Sequence, residues 1–128
     1  MRLLLNLLWI FFGGGFVIAL QYALGGVVLC LTVVGIPFGL QCFKMAGLAL
    51  WPFGKEITDD PSSAASGLVG LLMNVIWLVF GGLSTFLSHV VLGFGLAITV
   101  IGIPFALQHL KLAALSLFPF GRRVVEAP

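Results

Sequence analysis

Charge is what this sequence has least of, with six basic and four acidic side chains serving 128 residues. So few charged groups cannot coat the surface of a water-soluble domain, which excludes an ordinary globular protein. The basic residues Arg2, Lys44, Lys55, Lys111 and Arg122-Arg123 are scattered and form no patch, so nucleic acid is not an expected partner. The acids Glu56, Asp59, Asp60 and Glu126 lie outside the apolar runs. That leaves no intramembrane carboxylate for proton coupling or metal transport. No nucleophile has a base nearby in sequence and no glycine-rich phosphate loop occurs, so the chain reads as non-enzymatic and without a cofactor. Cysteine is also scarce. Cys30 and Cys42 fall on what reads as one helix, about 18 Å apart, too far for a mutual disulfide.

What fills the chain instead is apolar. It is 61% hydrophobic with a mean hydropathy of +1.24. Residues 3–20, 23–43, 68–87 and 90–107 are each long enough, or nearly so, to span a bilayer. The lipid bilayer is therefore the main expected partner. Met1-Arg2 before the first run imitates a secretory signal, but residues 71–87 copy that run in mid-chain, where a signal has no meaning. Cleavage is not expected.

The copying extends through the sequence. Thr32-Val33-Val34-Gly35-Ile36-Pro37-Phe38-Gly39-Leu40-Gln41 recurs as Thr99-Val100-Ile101-Gly102-Ile103-Pro104-Phe105-Ala106-Leu107-Gln108. Each is followed by a lysine, Lys44 or Lys111, and by an aromatic-Pro-Phe-Gly stop that begins at Trp51 or Phe118. Upstream, Asn6 pairs with Asn74, Trp9 with Trp77, Phe12-Gly13-Gly14 with Phe80-Gly81-Gly82, and Gly26 with Gly93, one residue being lost after the second glycine pair. The chain is a duplication. Its organisation reads as a first membrane repeat over 1–54, a polar linker over 55–67 and a second repeat over 68–128.

Each repeat predicts a two-helix hairpin. The fold class is thus an all-α integral membrane protein with about four transmembrane helices, the second of each pair interrupted by Gly-x-Pro. The first helix is expected over 3–22. Gly13-Gly14-Gly15 reads as a packing notch, with a helix break as the alternative. Gly81-Gly82 is its counterpart, and small residues at equal depth point to the copies meeting there. Gln21-Tyr22 and Ser88-His89 are the expected turns, after which the second helix starts near Gly25-Gly26 or Gly93. Pro37 and Pro104 remove the hydrogen bonds to the carbonyls of Val33 and Val100. Either the helix kinks and continues, or Gly35 stops it and Pro37 begins another. Continuation over 23–51 would measure about 43 Å, longer than a hydrocarbon core of about 30 Å.

Arg2, Lys44 with Lys55, and Lys111 with Arg122-Arg123 occur at the start, middle and end of the chain. The positive-inside rule puts all three in the cytoplasm, which requires an even number of crossings per repeat and places both termini there. Trp51, Lys55, Phe118, Arg122 and Arg123 are then interface anchors, and the lysine stems snorkel. His89 falls in the turn opposite the cytoplasm and His109 on the cytoplasmic side, so no metal site is expected. Asn6 and Asn74 are expected to bond across helices.

The doubled G-I-P-F-x-L-Q-x-x-K motif, the W/F-P-F-G close, the Asn-x-x-Trp opening and the terminal Gly-Arg-Arg-Val-Val resemble the YccF family, the inner membrane component domain. The resemblance covers nearly the whole chain. It implies a small multi-pass protein of the bacterial inner membrane with two copies of the domain, and it lends no catalytic residue.

Paired Gly/Pro-interrupted segments are the sequence pointer to a membrane transport site. A homo-oligomeric channel or transport-class protein for ions or a small solute is the first expectation. Thr32, Gly35, Pro37, Gln41 and Lys44, with Thr99, Gly102, Pro104, Gln108 and Lys111, would line the path. Packing would rest on Asn6, Gly13, Gly14, Asn74, Gly81 and Gly82. The other expectation is a non-transporting scaffold or regulatory subunit that binds anionic lipid or a partner membrane protein.

Overall fold

The computed structural model describes residues 1–60 and 67–127. Among these, the first repeat forms α1 (Arg2–Phe12), α2 (Gly15–Leu31), α3 (Ile36–Leu50) and β1 (Lys55–Asp59). The second forms α4 (Gly67–Trp77), a π-helical turn (Leu78–Gly82), α5 (Leu83–Ile98), α6 (Ile103–Leu117) and β2 (Arg122–Glu126). Chain contacts divide these into two units, Met1–Lys55 with Glu126–Pro128, and Glu56–Val125.

Each unit is a hairpin of apolar helices, α2 against α3 and α5 against α6. The reversals fall at Thr32–Gly35 and Thr99–Gly102, not at Gln21-Tyr22 or Ser88-His89, which lie inside continuous helix. Those expected turns are corrected for a physical reason. Ser84 Oγ and Thr85 Oγ1 donate to the carbonyl of Gly81 at 3.0 and 2.7 Å, and Ser88 Oγ donates to the carbonyl of Ser84 at 2.9 Å. Hydroxyls bonded back to their own helix need no turn and no water.

The Gly-Ile-Pro step ends one helix and starts the next. Gly35 and Gly102 are the N-caps of α3 and α6, with the proline in the first turn, where its missing N–H costs nothing. Of the two outcomes open in the sequence, the stop is the one realised, and no helix runs from 23 to 51. Cys30 and Cys42 consequently sit on different helices, α2 and α3, and not on one; neither is in a disulfide.

The triple glycine acts as a break in the first repeat. Gly14 adopts φ +86°, and the α1–α2 pair bends by 72°. The second repeat has one residue fewer and stays helical through the π turn, so that Gly67–Ile98 forms a single helix of 32 residues. By length and composition that helix can cross a membrane, and the bent α1–α2 pair can do so if taken as one span; α3 and α6 are shorter apolar helices.

The all-α expectation misses a small sheet. β1 pairs with β2. Asp60 N–H donates to the carbonyl of Gly121 and Ala127 N–H to that of Gly54, each at 2.7 Å, and the reciprocal order makes the strands antiparallel. The first residues of the expected linker, Lys55–Asp59, are thus a strand, while 61–66 lie outside the described residues.

Candidate functional site

The polar side chains of each repeat fall into three groups, at equivalent places in the two copies. The first is a clamp near the helix base. Asn6 Nδ2 donates to the carbonyl of Phe53 at 3.1 Å, and Phe53 N–H donates to Asn6 Oδ1 at 2.9 Å. The second copy repeats this between Asn74 and Phe120 at 3.1 and 2.9 Å. One turn further on, Trp9 Nε1 donates to the carbonyl of Ala49 at 2.5 Å and Trp77 Nε1 to that of Ser116 at 2.6 Å. The expected bond of Asn6 and Asn74 to another helix is replaced by one to the peptide inside the Pro-Phe-Gly stop. That stop needs them because a chain leaving a helix carries unpaired peptide groups, and both Asn6 and Trp9 are fully buried.

The glycines near the clamp seat its indole ring. A methyl group at Gly15 would strike Trp9, and one at Gly82 would lie 2.6 Å from the Trp77 ring and 2.9 Å from the Ser116 carbonyl. The structural counterpart of Gly82 is therefore Gly15, not Gly14. Gly13 also faces Trp9, whereas Gly81 faces open space. The notch is filled by a side chain of its own repeat.

The second group closes the reversal. Thr32 Oγ1 donates to the carbonyl of Leu29 at 2.6 Å and accepts the N–H of Gly35 at 3.0 Å; Thr99 does the same with Leu96 and Gly102 at 2.6 and 3.0 Å. The N–H groups of Thr32, Val33, Val34 and Ile36 donate to the carbonyls of Leu29, Cys30, Thr32 and Val33, and the second copy repeats all four. Proline supplies none. A methyl on Gly35 or Gly102 would collide with the carbonyls of Leu29 and Leu96, which is why this step requires glycine although its φ is negative. The residue with positive φ is instead a valine in each copy, Val33 and Val100, both at 62°. Glycine or asparagine normally takes such a position after a helix, and a β-branched residue there is a true outlier.

The third group lies between clamp and reversal. Gln41 and Lys44 sit on α3, Gln108 and Lys111 on α6. The Oε1 atoms of Gln41 and Gln108 are buried without a hydrogen-bond partner. On the facing helices, His89 and His109 come together with their Nδ1 atoms 3.1 Å apart, both buried. The expectation of His89 and His109 on opposite sides rests on a turn at Ser88-His89, and His89 lies instead inside α5. With the reversal at Thr99–Gly102 the two lie opposite one another on α5 and α6. At the internal offset of the repeat, Tyr22 and Cys42 occupy the same places in the first copy. Among the described residues no group of three metal-ligating side chains forms.

The interface anchors fall at helix ends and in the strands. Trp51 and Phe118 are the C-caps of α3 and α6. Lys55 pairs with Glu126 at 3.3 Å and Arg122 with Asp59 at 4.0 Å. Lys44 and Lys111 lie on α3 and α6, away from these pairs.

Comparison with known proteins agrees with this duplicated architecture. The inner membrane component domain named YccF matches residues 4–55 and again 72–122. The chain is 34% identical to the inner membrane protein YccF of Escherichia coli (strain K12), over 98% of its own length and 88% of that protein, and to the same degree to its namesake in Shigella flexneri. No solved structure matches. Two tandem matches and a full-length relative at this identity place the chain: it belongs to the YccF family of inner membrane proteins.

Proposed function

We propose that the protein is a non-transporting membrane module, a scaffold or regulatory subunit. Two helical hairpins hold it in the bacterial inner membrane, and its charged segments are presented to anionic lipid or a partner membrane protein. Both termini and the segment between the repeats lie in the cytoplasm, as the distribution of basic residues favours. Either four crossings or hairpins that turn back within the bilayer satisfies this arrangement. The observation that carries the reading is the use made of the Gly-Ile-Pro steps. Thr32 and Thr99 bond within the reversal, and Gly35 and Gly102 are sterically required by it. Thr32, Gly35 and Pro37, with Thr99, Gly102 and Pro104, are therefore engaged in forming the reversal rather than in lining a path. Lys44 and Lys111, at equivalent places on α3 and α6, are the residues proposed to meet anionic headgroups.

A second reading, a path for ions or a small solute through a homo-oligomer, is favoured by one observation. Gln41 and Gln108 keep unpartnered amide oxygens at equivalent places in the apolar hairpins, and an intramembrane polar group without a partner is a default candidate for function. One experiment separates the two. Purified protein in planar bilayers is expected to be silent across ions and voltages. A conductance whose selectivity changes in Gln41→Leu/Gln108→Leu would overturn the scaffold reading in favour of the path.

A further inference from the structure

We propose that both reversals, Thr32–Gly35 and Thr99–Gly102, end within the hydrocarbon of the membrane, so that each hairpin re-enters the bilayer and its tip is covered by acyl chains. The inference does not depend on whether the protein scaffolds or conducts.

Four observations lead there, each present in both copies. The tips are bare and apolar: Val34 is 83% exposed and Ile101 86% exposed, with Leu31, Val33, Ile98 and Val100 beside them also exposed. Water on that surface would have to hydrate a cluster of large aliphatic groups. The N–H groups of the tip are also independent of water. The threonine hydroxyl, the glycine N–H and the N–H groups around them all bond within the turn, which lowers the cost of taking these donors out of water.

The third observation is the choice of residue at φ 62°. Asparagine, aspartate or glycine would relieve the backbone at Val33 and Val100 and would suit an aqueous turn. Both copies hold valine, the choice that fits when the side chain must dissolve in lipid. The fourth is length. α3 and α6 have 15 residues each, about 22 Å, against a core of about 30 Å. Trp51 and Phe118 mark their outer ends, but the tip segments 23–40 and 90–107 contain no Trp, Tyr, Lys or Arg to anchor a far interface.

The test uses the full-length protein with Cys30 and Cys42 replaced by alanine and a single cysteine at Val34 or Ile101. These positions have ordinary backbone and exposed side chains. Membrane-impermeant maleimide is applied from the outer face in cells and from the cytoplasmic face in inverted vesicles, with Asp59→Cys as the accessible control. A bimane label at the same sites is read for quenching by lipids brominated along the acyl chain. Loss of maleimide labelling from both faces, together with acyl-chain quenching, is the expected result. Labelling of either tip from the outer face means that the hairpin crosses, and labelling from the cytoplasmic face means that it is not inserted; both overturn the proposal. Val33→Asn/Val100→Asn gives a test of opposite sign. A lipid-covered tip predicts a reduced amount of membrane-integrated protein, whereas an unchanged or raised amount is the aqueous outcome and contradicts it.

Discussion

Asn6 and Asn74 each satisfy the donor and acceptor of one residue, half-buried Phe53 and buried Phe120, with a single amide. A polar side chain that merely bridges two membrane helices is worth on average about 0.6 kcal/mol, because alternative partners exist. Removing one that leaves a buried peptide N–H and C=O unpaired costs more, about 1–3 kcal/mol. The second case applies here, so Asn6→Ala and Asn74→Ala should each lower stability by about 1–3 kcal/mol, read from unfolding in detergent. A loss within error for both would remove the clamp. Val33 and Val100 pose the opposite problem, since an L-residue in the left-handed region costs roughly 1–2 kcal/mol. Burying a valine side chain away from water stabilises by about 1.5–3 kcal/mol, so an apolar environment can outweigh the strain. The role of Asn was visible in the sequence as a repeated polar residue in an apolar run, but its partner was not. That partner is a backbone group more than forty residues away, and no side-chain pattern reports it.

At the scale of helices, crossing distance explains why the copies differ. A methyl on Gly39 would lie 2.7 Å from the carbonyl of Gly26, and one on Gly26 would lie 2.9 Å from the ring of Phe43. At the equivalent crossing of α5 and α6 an alanine, Ala106, takes the place of Gly39, and a methyl on Gly93 would stand 3.3 Å from its carbonyl. The first pair packs more closely and has no room for a side chain. Gly26→Ala and Gly39→Ala should therefore be destabilising. Gly25→Ala, Gly47→Ala and Gly95→Ala meet nothing within 4 Å and should be neutral or stabilising by about 0.5–1 kcal/mol through helix propensity. Thermal melts of the five variants check the ordering, and equal losses across the set would refute it. Helix content was legible from apolar run length, while the boundaries were not. Gln21 and Ser88 looked like turn residues because polarity was weighed above conformational freedom. The chain breaks where Gly14 permits a positive φ and reverses where threonine supplies the missing bonds.

For the molecule as a whole, the sheet constrains topology. Glu56–Asp59 and Arg122–Val125 belong to one unit and pair within it, which predicts that the segment entering the second repeat and the segment leaving it lie on the same face of the membrane. Single cysteines at Asp59 and Arg123, again without the native thiols, should be labelled by impermeant maleimide from the same face. Labelling from opposite faces would separate the strands and rule out the sheet. The duplication, the apolar character and the grouping of charges were all readable from residue order, because each is a matter of composition and spacing. The pairing of Lys-Glu-Ile-Thr-Asp with Arg-Arg-Val-Val-Glu was not, since each alone is a short charged segment that reads as linker or tail. The meeting of His89 with His109 was hidden for a related reason, since it depends on where the chain reverses.

The strand pair has a consequence for biogenesis. Its first member is synthesised before the second repeat and its last member only after it, so a nascent polypeptide must insert its leading hairpin while that strand waits for a partner. A product truncated before Arg122 would carry the strand edge open, and so the incomplete chain is the form exposed to edge-to-edge association.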